Sequence, residues 1–381
     1  LSSLSLVSNN NPSTLANTDD SVTLTVVGSE VLQQPTVVFS SGGNVVADSS
    51  ITYANPSGNT WTARYEPEAG DTEGNITFSI DFDDLAGNDG VDVTAVTDGT
   101  SVTFDKTVPT LTSVSIASDN STTTLAKVGD EITLSFTASE SLHTPVVTFQ
   151  SGGNNISTAD VVAGSGTSWT AKYTANSGDT DGAVTFTIAF EDLATNDGTN
   201  VTAVTNGTSV TFDNTVPTLT SASITSDNSP ATHANSGDVV TVTLAASVAI
   251  SQPVVTFKSG GNAVSDGSIT YAGSGANWTA AYTAGASDTE GAVSFTIAYS
   301  DLAGNAGTNV TSVTNASSVT FDKTAPTLTS ASIASDNVIN SLTSPGGQMT
   351  LSIVADEAIF QPTVTFLSGG NPITNSGAIT Y

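Results

Sequence analysis

EITLSFTA, residues 131–138, alternates without a break: Ile132, Leu134 and Phe136 fall on one face and Thr133, Ser135 and Thr137 on the other. A period of two is the spacing of a half-buried strand, because successive side chains point to opposite faces of a sheet. AVTFTIAF at 183–190 repeats the pattern with Val184, Phe186, Ile188 and Phe190. Between such runs lie turn formers such as Gly152-Gly153-Asn154 and Ser177-Gly178-Asp179. No window carries a helical period, so the chain reads as all-β.

The surroundings of that strand recur. SVTFDKTVPTLTSVSIASDN at 101–120 returns as SVTFDNTVPTLTSASITSDN at 209–228 and as SVTFDKTAPTLTSASIASDN at 318–337. Pro109, Pro217 and Pro326 are spaced by 108 and 109 residues (217−109, 326−217), and Trp61, Trp169 and Trp278 by the same two intervals (169−61, 278−169). Self-similarity at a fixed period marks a repeat protein. The copies run 1–110, 111–218, 219–327 and 328–381, the last being the N-terminal half of a unit. In the second copy strands are expected near 111–117 (A), 131–138 (B), 145–150 (C), 155–162 (C′), 168–173 (E), 183–190 (F) and 207–213 (G). Seven alternating strands in a unit of this size fit a tandem immunoglobulin-like or fibronectin III-like β-sandwich. Only TVPT or TAPT separates one unit from the next, and proline restricts the backbone there, so the expected array is an extended rod. The half unit would leave an apolar face and an open edge, from which we expect the polypeptide to continue past Tyr381.

Composition narrows the function. Six Lys and Arg stand against 36 Asp and Glu, for a formal charge of −30, although only 11% of residues are charged. Phosphate backbones and anionic headgroups repel such a surface, which excludes nucleic acid as a partner. No apolar run is long enough to span a bilayer, and no signal peptide opens the sequence. Without cysteine there are no disulfides, thiolate metal sites or Cys nucleophiles.

VTFDKTAPT at the end of a unit, DLAGN before its last strand, and a Glu in SE or DE after strand B together resemble the bacterial Ig-like repeats of large secreted, calcium-binding surface adhesins. The resemblance covers every copy. It implies a secreted, cell-surface, non-catalytic protein whose domain junctions are stiffened by Ca2+.

Strand order alone sorts the acids. If strands run alternately down and up, loops AB and EF and the end of G lie at the bottom of a unit, and loops BC and FG at its top. The bottom set holds Asp119 and Asp227 (SDN), Asp179, Asp181, Asp288 and Glu290 (EF), and Asp213 and Asp322 (end of G). The top set holds Glu140 and Glu357 (BC) with Asp84, Asp192 and Asp301 (FG). At the first junction Asp71, Glu73 and Asp105 should face Glu140 and Asp192. Converging carboxylates repel by about 1 kcal/mol per pair at ~4 Å in water and several-fold more near a protein surface. No Lys or Arg recurs there to neutralise them, and Ca2+ suits such oxygen-rich sites because it accepts six to eight ligands flexibly. Read singly, DLAGN is a turn whose Asp bonds its own backbone; assembled at a junction, the calcium reading is favoured. Val248 replaces the BC-loop Glu in the third copy and Asn9 the SDN Asp in the first, so those sites should differ, and Asp84 should lack a complete site.

Other candidates are weaker. His143 and His233 fall at different points of their repeats, without recurring partners, and no nucleophile elbow, P-loop or HExxH is present, so no catalysis is expected. Each Trp heads a WTAxY strand, where core packing is favoured over a sugar-stacking platform. Lys106 and Lys323 align with Asn214, which leaves an isopeptide crosslink without a consistent donor. The sequons at Asn75, Asn206 and Asn277 are what a chain rich in Asn, Ser and Thr produces by chance. The expectation is a calcium-stiffened spacer or stalk in an adhesin or surface fibre, whose partners are neighbouring repeats, other copies of itself in a fibre, or a cell-surface or glycan ligand. The alternatives are a self-assembling filament, sheath or surface layer, and a glycan-binding or phage-fibre module.

Overall fold

Residues 131–138 form the strand Glu131–Ala138, with Ile132, Leu134, Phe136 and Ala138 buried and the intervening residues half-exposed. The computed structural model describes residues 1–47, 51–156, 161–265, 267–373 and 379–381. The chain divides into two compact units, Leu1–Thr218 with Val248–Ser251 and Tyr299–Gly307, and Leu219–Ser247 with Gln252–Ala298 and Thr308–Tyr381. Among the described residues no helix is long and apolar enough to cross a membrane.

Two Ig-like sandwiches lie in the first unit. In the second of them one sheet runs A (Leu111–Ser118), B (Glu131–Ala138), E (Ser168–Thr174) and D (Val161–Ser165), all antiparallel. The facing sheet runs A′ (Leu125–Ala126), G (Thr211–Phe212), F (Gly182–Ala189), C (Val146–Ser151) and C′ (Asn154–Asn155), with A′ parallel to G. The first sandwich repeats this order from Ser3–Ser8 to Val102–Phe104. In register, Leu134 stands opposite Ala171 and Phe136 opposite Trp169, so both strands turn the same apolar face inward. There they join Phe149, Phe186 and Ile188 of the other sheet, with the Phe149 and Tyr173 rings stacked 6.0 Å apart. Each such side chain contributes about 1.5–3 kcal/mol by leaving water. Trp169 belongs to this core, and its indole nitrogen donates to the Gly166 carbonyl at 3.0 Å. The turn from C to C′ needs positive φ at Gly152 (55°) and Gly153 (82°), and a Cβ on Gly152 would lie 2.5 Å from the Asp181 carbonyl oxygen.

The sandwich class expected from the alternation is the observed one, with two additional strands in each of the three sandwiches. The segment expected as one C′ strand at 155–162 is in fact two elements. Asn154–Asn155 pairs with C and Val161–Ser165 pairs with E, while the middle of the expected strand, 157–160, lies outside the described residues. A′ is two residues long, too short for alternation to reveal, and exists only through pairing with G. G itself is short because the chain before it, 190–210, is irregular and tied down elsewhere. Val201 bridges Ile188, and Val114 and Ile116 of strand A donate to the hydroxyls of Thr205 and Thr208, both at 3.0 Å. These bonds occupy the outer edge of strand A, which would otherwise be open.

The second unit holds a sandwich of the same strand order, from Leu219–Ser226 to Thr320–Phe321. It also holds the antiparallel pair Leu328–Ser335 and Met349–Ala355, on which Ile333 and Val354 are more than half exposed.

Candidate metal centre

Three carboxylates from two successive repeats converge in the first unit. Asp105 ends the first repeat one residue past Val102–Phe104, Glu140 follows strand B of the second, and Asp192 opens the second repeat's DLATN turn. One oxygen from each lies within 4.8 Å of the others; Asp192 is buried and the other two half-buried.

Local hydrogen bonding aims Asp192. Its carboxylate accepts from the Asn196 backbone nitrogen and the Asn196 side-chain amide, both at 2.8 Å, which folds the five residues into a closed turn. The second amide hydrogen of Asn196 reaches across the junction to the Asp105 carbonyl at 3.1 Å. Asp105 is fixed in turn by the Thr107 nitrogen at 3.0 Å. Among the described residues Glu140 has no such donor. Burial above all, then Asp105, Asp192 and Glu73, hold its carboxyl above the ordinary range. Burial also leads in raising Asp105, with Asp192 and Glu73 adding to it. Glu73 lies alongside and shifts the other way, because the Thr107 hydroxyl and the Lys106 nitrogen donate to it, each at 2.8 Å.

No ion pair among the described residues involves the three central acids. Lys106, adjacent to Asp105, turns away: its Nζ donates to the carbonyls of Ala69 and Asp71 at 2.8 and 2.6 Å. The residues therefore present a hard, oxygen-only donor set that lacks a counter-charge and spans two domains, which fits a divalent cation with oxygen preference.

Five of the expected ligands are taken up by donors within their own repeats. Asp71 accepts from the Tyr65 hydroxyl and the Glu68 nitrogen, Asp179 from the Asn176 nitrogen at 2.7 Å, and Asp288 from the Ser265 and Gly285 nitrogens at 2.6 and 2.8 Å. Asp119 and Asp227 accept from the nitrogens of Glu131 and Val239, both at 2.8 Å. Asn9 in the first repeat makes the same bond to Ser21 at 2.7 Å, so that position requires an acceptor oxygen and no charge.

Asp181 and Glu290 occupy the place of Glu73. Asp181 accepts from the Asn214 nitrogen and Thr215 hydroxyl at 2.7 and 2.6 Å, and Glu290 from the Lys323 nitrogen and Thr324 hydroxyl at 3.0 and 2.6 Å. Asp301, buried in the first unit, forms the same closed turn, and Asn305 donates to the Asp213 carbonyl at 2.8 Å. With Val248 in place of the Glu, Asp213 and Asp301 lack a third carboxylate, and among the described residues the three-acid group occurs once. In the second unit Glu357 neighbours Asp322 and Asp356. Desolvation and those two charges hold it above its ordinary value. Asp84 closes its own turn through Asn88 and Ala86, and those donors hold its carboxyl below the usual range.

Asparagine is the residue type that sequence reasoning passed over. Besides Asn196 and Asn305, the AB-loop residues Asn10 and Asn120 donate to the Leu193 and Ala303 carbonyls of the next repeat's FG turn, at 3.4 and 2.9 Å. The signal was present: the last residue of DLAGN and the last of SDN recur as faithfully as the acids do.

No protein-family model and no curated protein matches the chain. Among solved structures the chain is similar to the I-band fragment I67–I69 of titin at 12% identity and a TM-score of 0.34, covering 84% of this chain and 97% of that one. It is also similar to the mouse nectin-like molecule 4 ectodomain, Ig1–Ig3, at 13% identity and a TM-score of 0.27, covering 81% and 96%. A third is Dpr2 Ig1–Ig2 in complex with DIP-Theta Ig1–Ig3, at 11% identity and a TM-score of 0.24. At scores of this size the likeness bears on no question of function.

Proposed function

We propose that the chain is a structural, non-catalytic stretch of a long extracellular adhesin or surface fibre, acting as a spacer whose repeats are coupled by calcium. The observation that carries this reading is the convergence of Asp105, Glu140 and Asp192 from two repeats to within 4.8 Å. Asp105, Glu140 and Asp192 would hold the ion, with Glu73 beside them. Bound calcium would supply the positive charge that the cluster lacks, and crosslinking two domains would fix the angle between the first two repeats. The asparagine bonds orient Asp192 and the end of the first repeat before any ion arrives, which lowers the ordering cost of binding.

Calorimetric unfolding of the full chain tests the reading. At calcium well above a dissociation constant of about 0.1–1 mM, typical of extracellular modules, stabilisation of about 1–3 kcal/mol is expected and should be reversed by EGTA. Unfolding that is indifferent to calcium and EGTA would remove the basis for the proposal.

The outer face of the A-B-E-D sheet supports a second reading, lateral assembly into a filament or layer. Ser115, Ser135 and Thr170 stand in register across three strands, and among the described residues strand D pairs only with E. Light scattering distinguishes the two: concentration-dependent multimers in EGTA favour assembly, and a calcium-sensitive monomer favours the spacer.

A further inference from the structure

We propose that Asn206 is a self-modifying site, at which the backbone nitrogen of Gly207 attacks the Asn206 side-chain amide and converts it to an acid. Asn206-Gly207 is the one Asn-Gly pair in the sequence, and it lies in the exposed return segment ahead of strand G.

The turn is arranged for this reaction. Asn206 Oδ1 accepts from both the Thr208 nitrogen (3.2 Å) and the Thr208 hydroxyl (2.8 Å). These two bonds close an Asx turn across Gly207 and hold the side-chain amide in one orientation. Oδ1 is also the atom that gains negative charge when Cγ becomes tetrahedral, so two donors already aimed at it act as an oxyanion hole. The Thr208 hydroxyl accepts from the Ile116 nitrogen at 3.0 Å, and such a chain of hydrogen bonds strengthens its own donation. Gly207 sits at φ 72°, and open space surrounds the place where a Cβ would be.

The chemistry needs only water. Gly207 N gives its proton to hydroxide and bonds to Asn206 Cγ, and Nδ2 leaves as ammonia after taking a proton from water. Water then opens the resulting five-membered imide at either carbonyl, giving aspartate or its β-linked isomer, with nothing oxidised or reduced.

The other repeats supply internal controls. The first has Asp98-Gly99 at this place, and the Thr100 nitrogen and hydroxyl donate to Asp98 at 3.1 and 2.8 Å, so aspartate fits the same turn. The third has Asn315 accepting from the Ser317 nitrogen at 3.1 Å, followed by Ala316 in place of glycine. The aspartate product should therefore keep the Thr208 grip on strand A. The β-linked product, with one more backbone atom, should lose it.

Incubation of the full chain at mildly alkaline pH, followed by peptide mass spectrometry and ammonia assay, tests the proposal. Expected are acid and β-linked acid at Asn206, an intact amide at Asn315, and conversion slowed about tenfold or more in Gly207→Ala, whose Cβ removes the freedom of glycine. Thr208→Val, which deletes one donor to Oδ1, should slow conversion in the folded protein. Asn206 remaining an amide in the native chain while a free Thr-Asn-Gly-Thr peptide converts would overturn the proposal, and so would a Thr208→Val variant that reacts as fast as the wild type.

Discussion

Residues of one type do two kinds of work in this molecule, and substitution should separate them. Asp119 and Asn9 make the same loop-closing bond at 2.8 and 2.7 Å, one charged and one neutral. Asp119→Asn is therefore expected to change stability by less than about 0.5 kcal/mol and to leave any calcium response intact, as chemical unfolding with and without calcium would show. Asn196 is different, because one amide serves both Asp192 and the Asp105 carbonyl of the preceding repeat. Asn196→Ala strands a carbonyl at the junction and leaves the Asp192 carboxylate with its backbone donor alone, at a cost of about 1–3 kcal/mol that thermal melting would detect. It should also weaken calcium binding, since the carboxylate loses one of its two orienting donors.

At the scale of the element, the FG turn is what converts a sandwich into a junction. DLATN in the second repeat and DLAGN in the third close through the same bonds, yet of these two turns only the one beside Glu140 joins a three-acid group among the described residues, and the one beside Val248 does not. Val248 is 39% exposed, so a charge can be placed there without opening the core. Val248→Glu is expected to lower the melting temperature in EGTA by about 4 °C, corresponding to about 1 kcal/mol, and to recover it in calcium. The sequence made such elements unequally legible. Strand B could be read from Ile132, Leu134 and Phe136 because burial of one face imposes the period. A′ and D could not, since two- and five-residue strands hold by pairing with G and E, and pairing leaves no local pattern. The junction acids were legible as a set. Which of them face the neighbour was not, because Asp71, Asp179 and Asp105 all accept a backbone nitrogen locally, and the tertiary fold decides which of them lies at the junction.

For the whole molecule, the charge of −30 makes the state of the acids decisive for stability. Burial and like charge raise Glu140 and Asp105, so in the metal-free fold these two bind protons more tightly than in the unfolded chain. The sign follows from linkage: their unfavourable contribution is absent below the ordinary carboxylate pKa of about 4 and grows as pH rises through the raised values. In EGTA the wild type should therefore lose stability relative to Glu140→Gln as pH rises from acid to neutral, and the two should converge in acid. Calcium reverses the balance by favouring the charged form. The direct test is the melting temperature of wild type and Glu140→Gln at neutral pH, each in calcium and in EGTA. A calcium-coupled junction predicts opposite signs: the variant melts about 4 °C higher in EGTA, where repulsion is relieved, and lower than wild type in calcium, where a ligand is lost. The same shift in both conditions, or none in either, would contradict it.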